Sequence, residues 1–432
     1  MVGGGEVCCY FHVINFSILS SSGTLFPVER LFLEDTIERI KWRPTRLTYV
    51  EDDKDVLAAT LGNIEEEVLS RGGCGGDGQL ANGTGSESRY SPETIALLRR
   101  LREGVICYEL LTAILEHIES LQVEGAVLIF LPGWAAIFEL LNYLTGHRTF
   151  GDASRFLVLP LHSQLAGRDN HRVFGRTPGG PRKIILSTNI AETSITIDDV
   201  VFVVDTCLLK RRVYCSKTNV TSYLIDWVSK SNIQQRQGRA GRLRNGTFFV
   251  LCTRARFESL DEFKIPEILV TSLVETVLLI KYLGFACVAQ FLSRCIDRPS
   301  SRAVQEAQAN LREMAAFDAD NRLTPLGLVL VRLPIEPRLG RMVMLAVLLG
   351  LGGPALTIAA AGAMSHELFD HHSNSGLEAA GRVMMELDGG SRLSDHLIIP
   401  ALFDLYVRRD FGQYREVLNL NGLFHVSCAN FC

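Results

Sequence analysis

Two apolar runs constrain this chain more than any other feature. Lys183-Ile184-Ile185-Leu186 and Val200-Val201-Phe202-Val203-Val204 bracket the segment Ser187-Thr188-Asn189-Ile190-Ala191-Glu192-Thr193-Ser194-Ile195-Thr196-Ile197-Asp198. Short β-branched runs without polar alternation read as strands buried on both faces. A hydroxyl- and amide-rich segment between them sits at a sheet edge, where open α/β folds bind ligands. The same segment also fits a Ser/Thr-rich turn that caps a helix. Further strands are expected near 126–131, 156–160 and 247–252, and the run 110–118 reads as a helix. Strands alternating with helices imply a parallel sheet with right-handed crossovers.

A second stretch brings chemistry. Gln235-Arg236-Gln237-Gly238-Arg239-Ala240-Gly241-Arg242 sets two arginines three residues apart behind a glutamine. A guanidinium is permanently charged and forks onto oxygen anions. Aimed at a γ-phosphoryl group in transfer, one arginine contributes roughly 10³–10⁵ in rate. Gln235 is of the type that orients an attacking water. On one turn of helix, Gln235, Arg239 and Arg242 share a face. Taken alone, Arg-Gly-Arg also fits a solvated basic loop.

Together these segments resemble the DEAH-box superfamily-2 helicases. STNIAETSITID is similar to the family's motif V, QRQGRAGR to motif VI, and Phe130-Leu131-Pro132-Gly133-Trp134 to motif IV. The phrasing of 125–134 and 159–164 is most similar to the RNA helicase A (maleless-type) branch. The likeness runs from about Phe26 to the C-terminus. It lacks two parts of the family's enzymes. No Gly-x-x-x-x-Gly-Lys-Ser/Thr loop and no Asp-Glu-x-His box occurs in the 432 residues, although phosphates and magnesium are held there. The expectation is a helicase chain without most of its first RecA-like motor domain and without the C-terminal oligonucleotide-binding-fold domain.

The resemblance implies an α/β RecA-like parallel-sheet domain followed by winged-helix and mostly α-helical ratchet domains. Residues 1–50 are expected to be lead sequence and the remnant of the first RecA-like domain, and 51–92 a partly disordered linker. Residues 93–264 would be the second RecA-like domain, 265–335 the winged helix and 336–432 a truncated ratchet domain. The glycine-rich stretch around 70–92 has too little apolar content to bury a core. Between motifs V and VI, Val213-Tyr214 and Ser222-Tyr223-Leu224-Ile225 flank Thr218-Asn219, a hairpin pattern. In the family a β-hairpin projects here and helps separate strands.

Bulk properties set limits. Eleven cysteines, none in a C-x-x-C pair, argue against a disulfide framework and a zinc site. Net charge is −4, yet residues 205–245 carry nine basic side chains against Asp205 and Asp226. A basic stripe on a near-neutral chain is the footprint of a phosphate-backbone partner, or a solvated face. The apolar stretch 11–20 lacks a basic leader and a clear cleavage site. The uncharged stretch 342–364 is long enough to span a bilayer, but Gly350, Gly352, Gly353 and Pro354 interrupt it. Two short buried helices fit it better.

Carried over by position, the resemblance gives Arg239 and Arg242 as arginine fingers and Gln235 as the residue that places water. Phe174 falls where the family stacks an aromatic on the nucleotide base, although a core position fits it too. Ser194, Thr196 and Asp198 match positions near ribose and phosphates. Gly133, Thr188, Asn189, Lys210, Arg211 and Arg212 match or adjoin positions that track the nucleic-acid backbone. The implied ligand is ATP or another nucleoside triphosphate with Mg2+, whose ligands belong to the first domain; no metal site is assigned here. The implied partner is single-stranded or duplex RNA, with no membrane, and the expected location is nuclear or cytoplasmic. The function expected is that of part of an ATP-dependent RNA helicase, this chain alone being inactive. The alternative is a non-catalytic RNA-binding or regulatory protein derived from one.

Overall fold

The computed structural model describes residues 26–44, 89–162, 173–175, 179–193, 195–215, 218, 220–242, 244–363 and a few positions between 396 and 403. Six strands form one parallel sheet: β1 (Val28–Leu31), β2 (Ala126–Phe130), β3 (Phe156–Leu161), β4 (Arg182–Ser187), β5 (Val200–Asp205) and β8 (Gly246–Val250). Their order is β1-β8-β5-β2-β4-β3. The remaining two, β6 (Leu208–Cys215) and β7 (Val220–Trp227), pair antiparallel as a separate ribbon. This is the hairpin expected from the sequence.

Both faces of the sheet are covered, which is why its strands read as unbroken apolar runs. Val127 and Ile129 of β2 join Ile184, Leu186 and Val204 in one core. Helices α1 (Leu33–Ile40), α3 (Tyr108–Ser120) and α4 (Trp134–Thr145) line that face, and α2 (Pro92–Leu98) packs against α1. In α3 the buried apolar positions are Leu110, Leu111, Ile114, Leu115 and Ile118, the single stripe of an amphipathic helix. Leu128 and Phe130 join Ile185, Val203 and Phe248 in the opposite core. The short α5 (Ile190–Thr193) and α6 (Lys230–Gln237) contribute Ala191 and Ile233 to it, and Phe257 of α7 (Arg254–Ser259) packs on it.

The sheet corrects one expectation. The sequence places residues 1–50 in lead sequence and the remnant of a preceding domain, yet within them Val28–Leu31 pairs in parallel with Gly246–Phe249. Trp42 and Ile37 are buried in the same core as α3. The β1 sequence hides this role because Val-Glu-Arg-Leu is short and half charged, as edge strands are. The described chain resumes at residue 89 against the same helix, α1. The Tyr90 hydroxyl donates to Asp35 at 2.9 Å, and the Ser91 hydroxyl donates to Glu38 at 2.8 Å. Tyr90 and Ser91, expected in a linker, are therefore part of the fold. The glycine-rich segment 70–88 lies outside the described residues.

Beyond the sheet the described residues are mostly helical. The helices are α8 (Glu267–Val270), α9 (Val274–Tyr282), α10 (Val288–Leu292), α11 (Ser301–Glu313), α12 (Pro325–Leu330), α13 (Pro337–Leu348) and α14 (Gly352–Ala363). The first five gather a core of Val277, Leu278, Val288, Leu292, Val304, Leu311, Phe317 and Leu330. One antiparallel bridge, Phe317 to Leu323, lies between α11 and α12. The uncharged stretch 342–364 is split at Gly350, whose φ of +73° ends the first helix. No helix among the described residues is long and apolar enough to cross a membrane.

Candidate nucleotide and nucleic-acid site

The candidate residues divide between the two edges of the sheet: Gly133, Thr188 and Asn189 follow β2 and β4 at the carboxyl edge, whereas Asp198 and the turn holding Arg239 lie where β5 and β8 begin. Successive bonds knit the carboxyl edge together. Leu131 N–H donates to Ser187 O at 2.8 Å, the Thr206 hydroxyl to Phe130 O at 2.8 Å, and Leu251 N–H to Asp205 O at 2.9 Å. Gly133, Thr188, Asn189 and Asp205 thus leave adjacent strands side by side.

The arginine-rich octet is anchored from below. Helix α6 is capped by Ser229, whose hydroxyl oxygen accepts the Asn232 N–H at 3.3 Å while Asn232 Oδ1 accepts the Ser229 N–H. This reciprocal cap satisfies two helix-end donors. Four residues on from Asn232, Arg236 enters the protein and is 1% exposed. Its Nε donates to Glu192 at 3.0 Å and its Nη1 to Asp205 at 2.7 Å. The guanidinium also lies 4.8 Å from the Phe130 ring centroid. Burial opposes its charge, but Asp205 and Glu192 outweigh that and hold its pKa above the ordinary arginine value. The cluster joins the segment after β4, the end of β5 and the octet. Sequence reasoning missed Arg236, Glu192 and Asp205 as a group, although each lies in or beside the strings that carry the resemblance.

The helix ends sooner than expected. α6 stops at Gln237, and Gly241 turns the chain with φ +70°. Gln235, Arg239 and Arg242 therefore do not share one helical face. A Cβ at Gly241 would meet Phe26 O at 2.6 Å, and Phe26 N–H donates to Gly241 O at 2.8 Å. The residues leading into β1 thus shape the arginine turn. Arg30 reinforces it through its Nε bond to Gln237 Oε1 at 2.9 Å.

Arg239 donates from Nη1 to Ile195 O at 3.2 Å, and its buried Nε has no hydrogen-bond partner among the described residues. Burial, and next the charge of Arg242, push its pKa below the ordinary arginine value, partly offset by Glu192. The unused buried Nε of Arg239, with Arg242 three residues on in the same turn, is the kind of donor that an oxyanion satisfies. Gln235 is exposed on α6.

The other expected residues divide. Thr196 and Asp198 are exposed beside this turn's partner segment, and Ser194 lies outside the described residues. Phe174 is 44% exposed, whereas its neighbour Val173 is fully buried in the core. The core reading of Phe174 is thereby set aside. Asn189 is exposed, but Thr188 is buried and offers little side chain to a ligand.

On the ribbon, alternation separates the three basic residues. Lys210 and Arg212 are exposed and lie opposite Ile225 and Tyr223, which are 64% and 61% exposed. The Lys210 ammonium sits 5.1 Å from the Tyr223 ring centroid. Arg211 points to the other face, where it pairs with Asp226 at 2.6 Å. It does not join the basic face, because successive side chains on a strand point oppositely. The ribbon is seated on the turn after β2: Lys210 N–H donates to Pro132 O at 3.1 Å, and the Lys210 stem passes 3.5 Å from where a Gly133 Cβ would stand.

Residues 108–244 match the family model of the helicase conserved C-terminal domain. The ATP-dependent DNA/RNA helicase DHX36 of Rattus norvegicus is 38% identical over 350 residues, 80% of this chain and 34% of its own length. The chloroplastic DExH-box ATP-dependent RNA helicase DExH4 of Arabidopsis thaliana is 36% identical over 408 residues, 90% of this chain and 28% of its own.

The chain belongs to the DEAH/DExH-box helicases.

A third relative, the ATP-dependent RNA helicase dhx29 of Xenopus laevis, is 37% identical over 360 residues, 79% of this chain and 26% of its own. The chain spans about a third or less of the length of these relatives. The match to the C-terminal helicase domain covers motifs IV, V and VI together with the ribbon between the last two.

Proposed function

We propose that this chain supplies the second half of a composite nucleoside-triphosphate site in an RNA helicase. The observation that carries this reading is the braced turn in which Arg239 is tied to Ile195 O, with its Nε unused among the described residues and Arg242 following three residues on. In this reading the γ-phosphate lies against both guanidiniums, Gln235 places the attacking water, and Phe174 stacks on the base. Asp198 and Thr196 face the ribose and phosphates, and the same role is proposed for Ser194 from its place in the sequence. Charge developing on the phosphoryl oxygens meets donors that are already fixed, so little reorganisation is required. ATP with Mg2+ fits as substrate, but no three carboxylate, histidine or cysteine side chains converge on a metal position among the described residues. We assign the magnesium ligands to another RecA-like domain.

Purified as it stands, the 432-residue chain is expected to hydrolyse no ATP above background, with or without RNA. Robust RNA-stimulated turnover would overturn the composite-site reading.

The ribbon face of Lys210, Arg212, Tyr223 and Ile225, with Asn189 and the turn at Gly133, is assigned to the nucleic-acid strand. Side chains of this type bind backbone and bases without reading sequence. Single-stranded RNA should bind weakly, with affinity falling as salt rises. Removing one side chain that neutralises a phosphate should reduce the slope of log affinity against log salt by about 0.7. Lys210→Ala and Arg212→Ala should each lower that slope, and Arg211→Ala should leave it unchanged. If all three behave alike, the face assignment is wrong.

We assign residues 265–335 to a winged helix, supported by α9, α10 and α11 around one core and by the bridge at Phe317 that stands where a wing would. Residues from 336 onward are assigned to the ratchet domain, supported by α13 packed on α14. A nuclear or cytoplasmic location is part of the same proposal.

A further inference from the structure

We propose that Lys183 is a positioning residue for nucleotide recognition, holding Phe174 out as a base platform and tying it to the end of motif V. The inference rests on the nucleotide reading above and names a residue that reading does not contain.

Lys183 is the second residue of β4 and is 1% exposed. A buried ammonium is costly unless each of its protons is used. An ammonium has three donors, and here three acceptors surround it. Asp199 Oδ2 lies at 2.9 Å, Val173 O at 2.8 Å and Gly175 O at 2.7 Å. Two of the three are the carbonyls on either side of Phe174.

This arrangement fixes the direction of the aromatic ring. Val173 is sunk in the core, and the backbone before and after Phe174 is pinned to one nitrogen. The phenylalanine cannot follow Val173 inward, so it stays 44% exposed. An exposed aromatic side chain forgoes the apolar burial it would otherwise gain, so a fixed outward placement suits a surface on which a base stacks. The third bond reaches Asp199, next to Asp198 and one residue before β5. A single ammonium thereby sets the position of the base platform relative to the segment assigned to ribose and phosphates. Nothing in the sequence pattern points to Lys183, because a lysine beginning an apolar strand reads as an edge residue.

The test compares two ligands on the full 432-residue chain, ATP and inorganic tripolyphosphate, by NMR or calorimetric titration. Stacking contributes to the first and not to the second. The parent chain should prefer ATP by about tenfold. Lys183→Met should bring ATP affinity down to the tripolyphosphate level and leave tripolyphosphate affinity unchanged. Phe174→Ala should do the same, and the double variant should lose nothing more. If the parent binds neither ligand, the nucleotide reading falls and this inference with it. If the parent prefers ATP and Lys183→Met keeps that preference, the inference alone is overturned. Should Lys183→Met fail to fold, Asp199→Asn decides: a folded Asp199→Asn chain with the full preference for ATP overturns the positioning role, and a reduced preference supports it.

Discussion

Replacing Arg239 or Arg242 with alanine should abolish hydrolysis once the chain is joined to the complete first motor domain of a relative. The expected loss in turnover is on the order of 10³ or more, because each guanidinium is assigned to charge that grows only in the transition state. RNA affinity should stay within a few-fold, since the nucleic-acid face is a different surface. Of the two, Arg239 is the better braced, through Ile195 O, and presents the unused Nε. Lysine at position 239 should not rescue it, because a point charge cannot reproduce the planar fork. If both alanine variants turn over within a few-fold of the parent, the turn is structural and the composite-site reading fails. The measurement is steady-state phosphate release at saturating ATP and RNA, with RNA affinity measured in parallel.

The same geometry shows what the sequence could convey. The strands at 126–130, 156–161, 182–187, 200–205 and 246–250 were legible because a sheet buried on both faces needs unbroken apolar runs. The ribbon was legible from two short β-rich runs around a turn. β1 was not, because its partner β8 lies far along the chain and its own residues are half charged. The arginine pair was legible as chemistry but not as geometry: whether α6 continues through Gly238 and Gly241 depends on Phe26, which closes on Gly241 from the start of β1. Counting nine basic residues at 205–245 overstates the free charge. Arg236 is buried against two carboxylates, Arg211 is paired with Asp226, and Lys230 lies 3.5 Å from Glu262. A sequence shows the sign of each residue but not which charges neutralise one another.

That neutralisation at Arg236 leads to the largest expected effect on stability. Arg236→Met keeps a stem of similar length against Phe130 and removes the charge. It leaves Glu192 and Asp205, 5% and 0% exposed, facing each other without a cation. Removing one partner of a buried ion cluster costs about 3–5 kcal/mol, and for a domain of this size each kcal/mol lowers Tm by about 2–4 °C. The RecA-like domain should therefore melt roughly ten degrees lower, or fail to fold at all. The loss should be largely a matter of unpaired charge rather than of packing. Adding Glu192→Gln and Asp205→Asn to Arg236→Met should then recover much of the stability, because the repulsion and the desolvation of two anions disappear together. The recovered triple variant should still hydrolyse nothing in the joined motor, since the turn that carries Arg239 and Arg242 would no longer be tied to β5 and to the segment after β4. A triple variant that melts as low as the single one would show that the bond geometry, not the charge balance, holds the cluster. If Arg236→Met itself melts within about two degrees of the parent, the cluster does not brace the turn. The preorganisation assigned to Arg239 would then need another source.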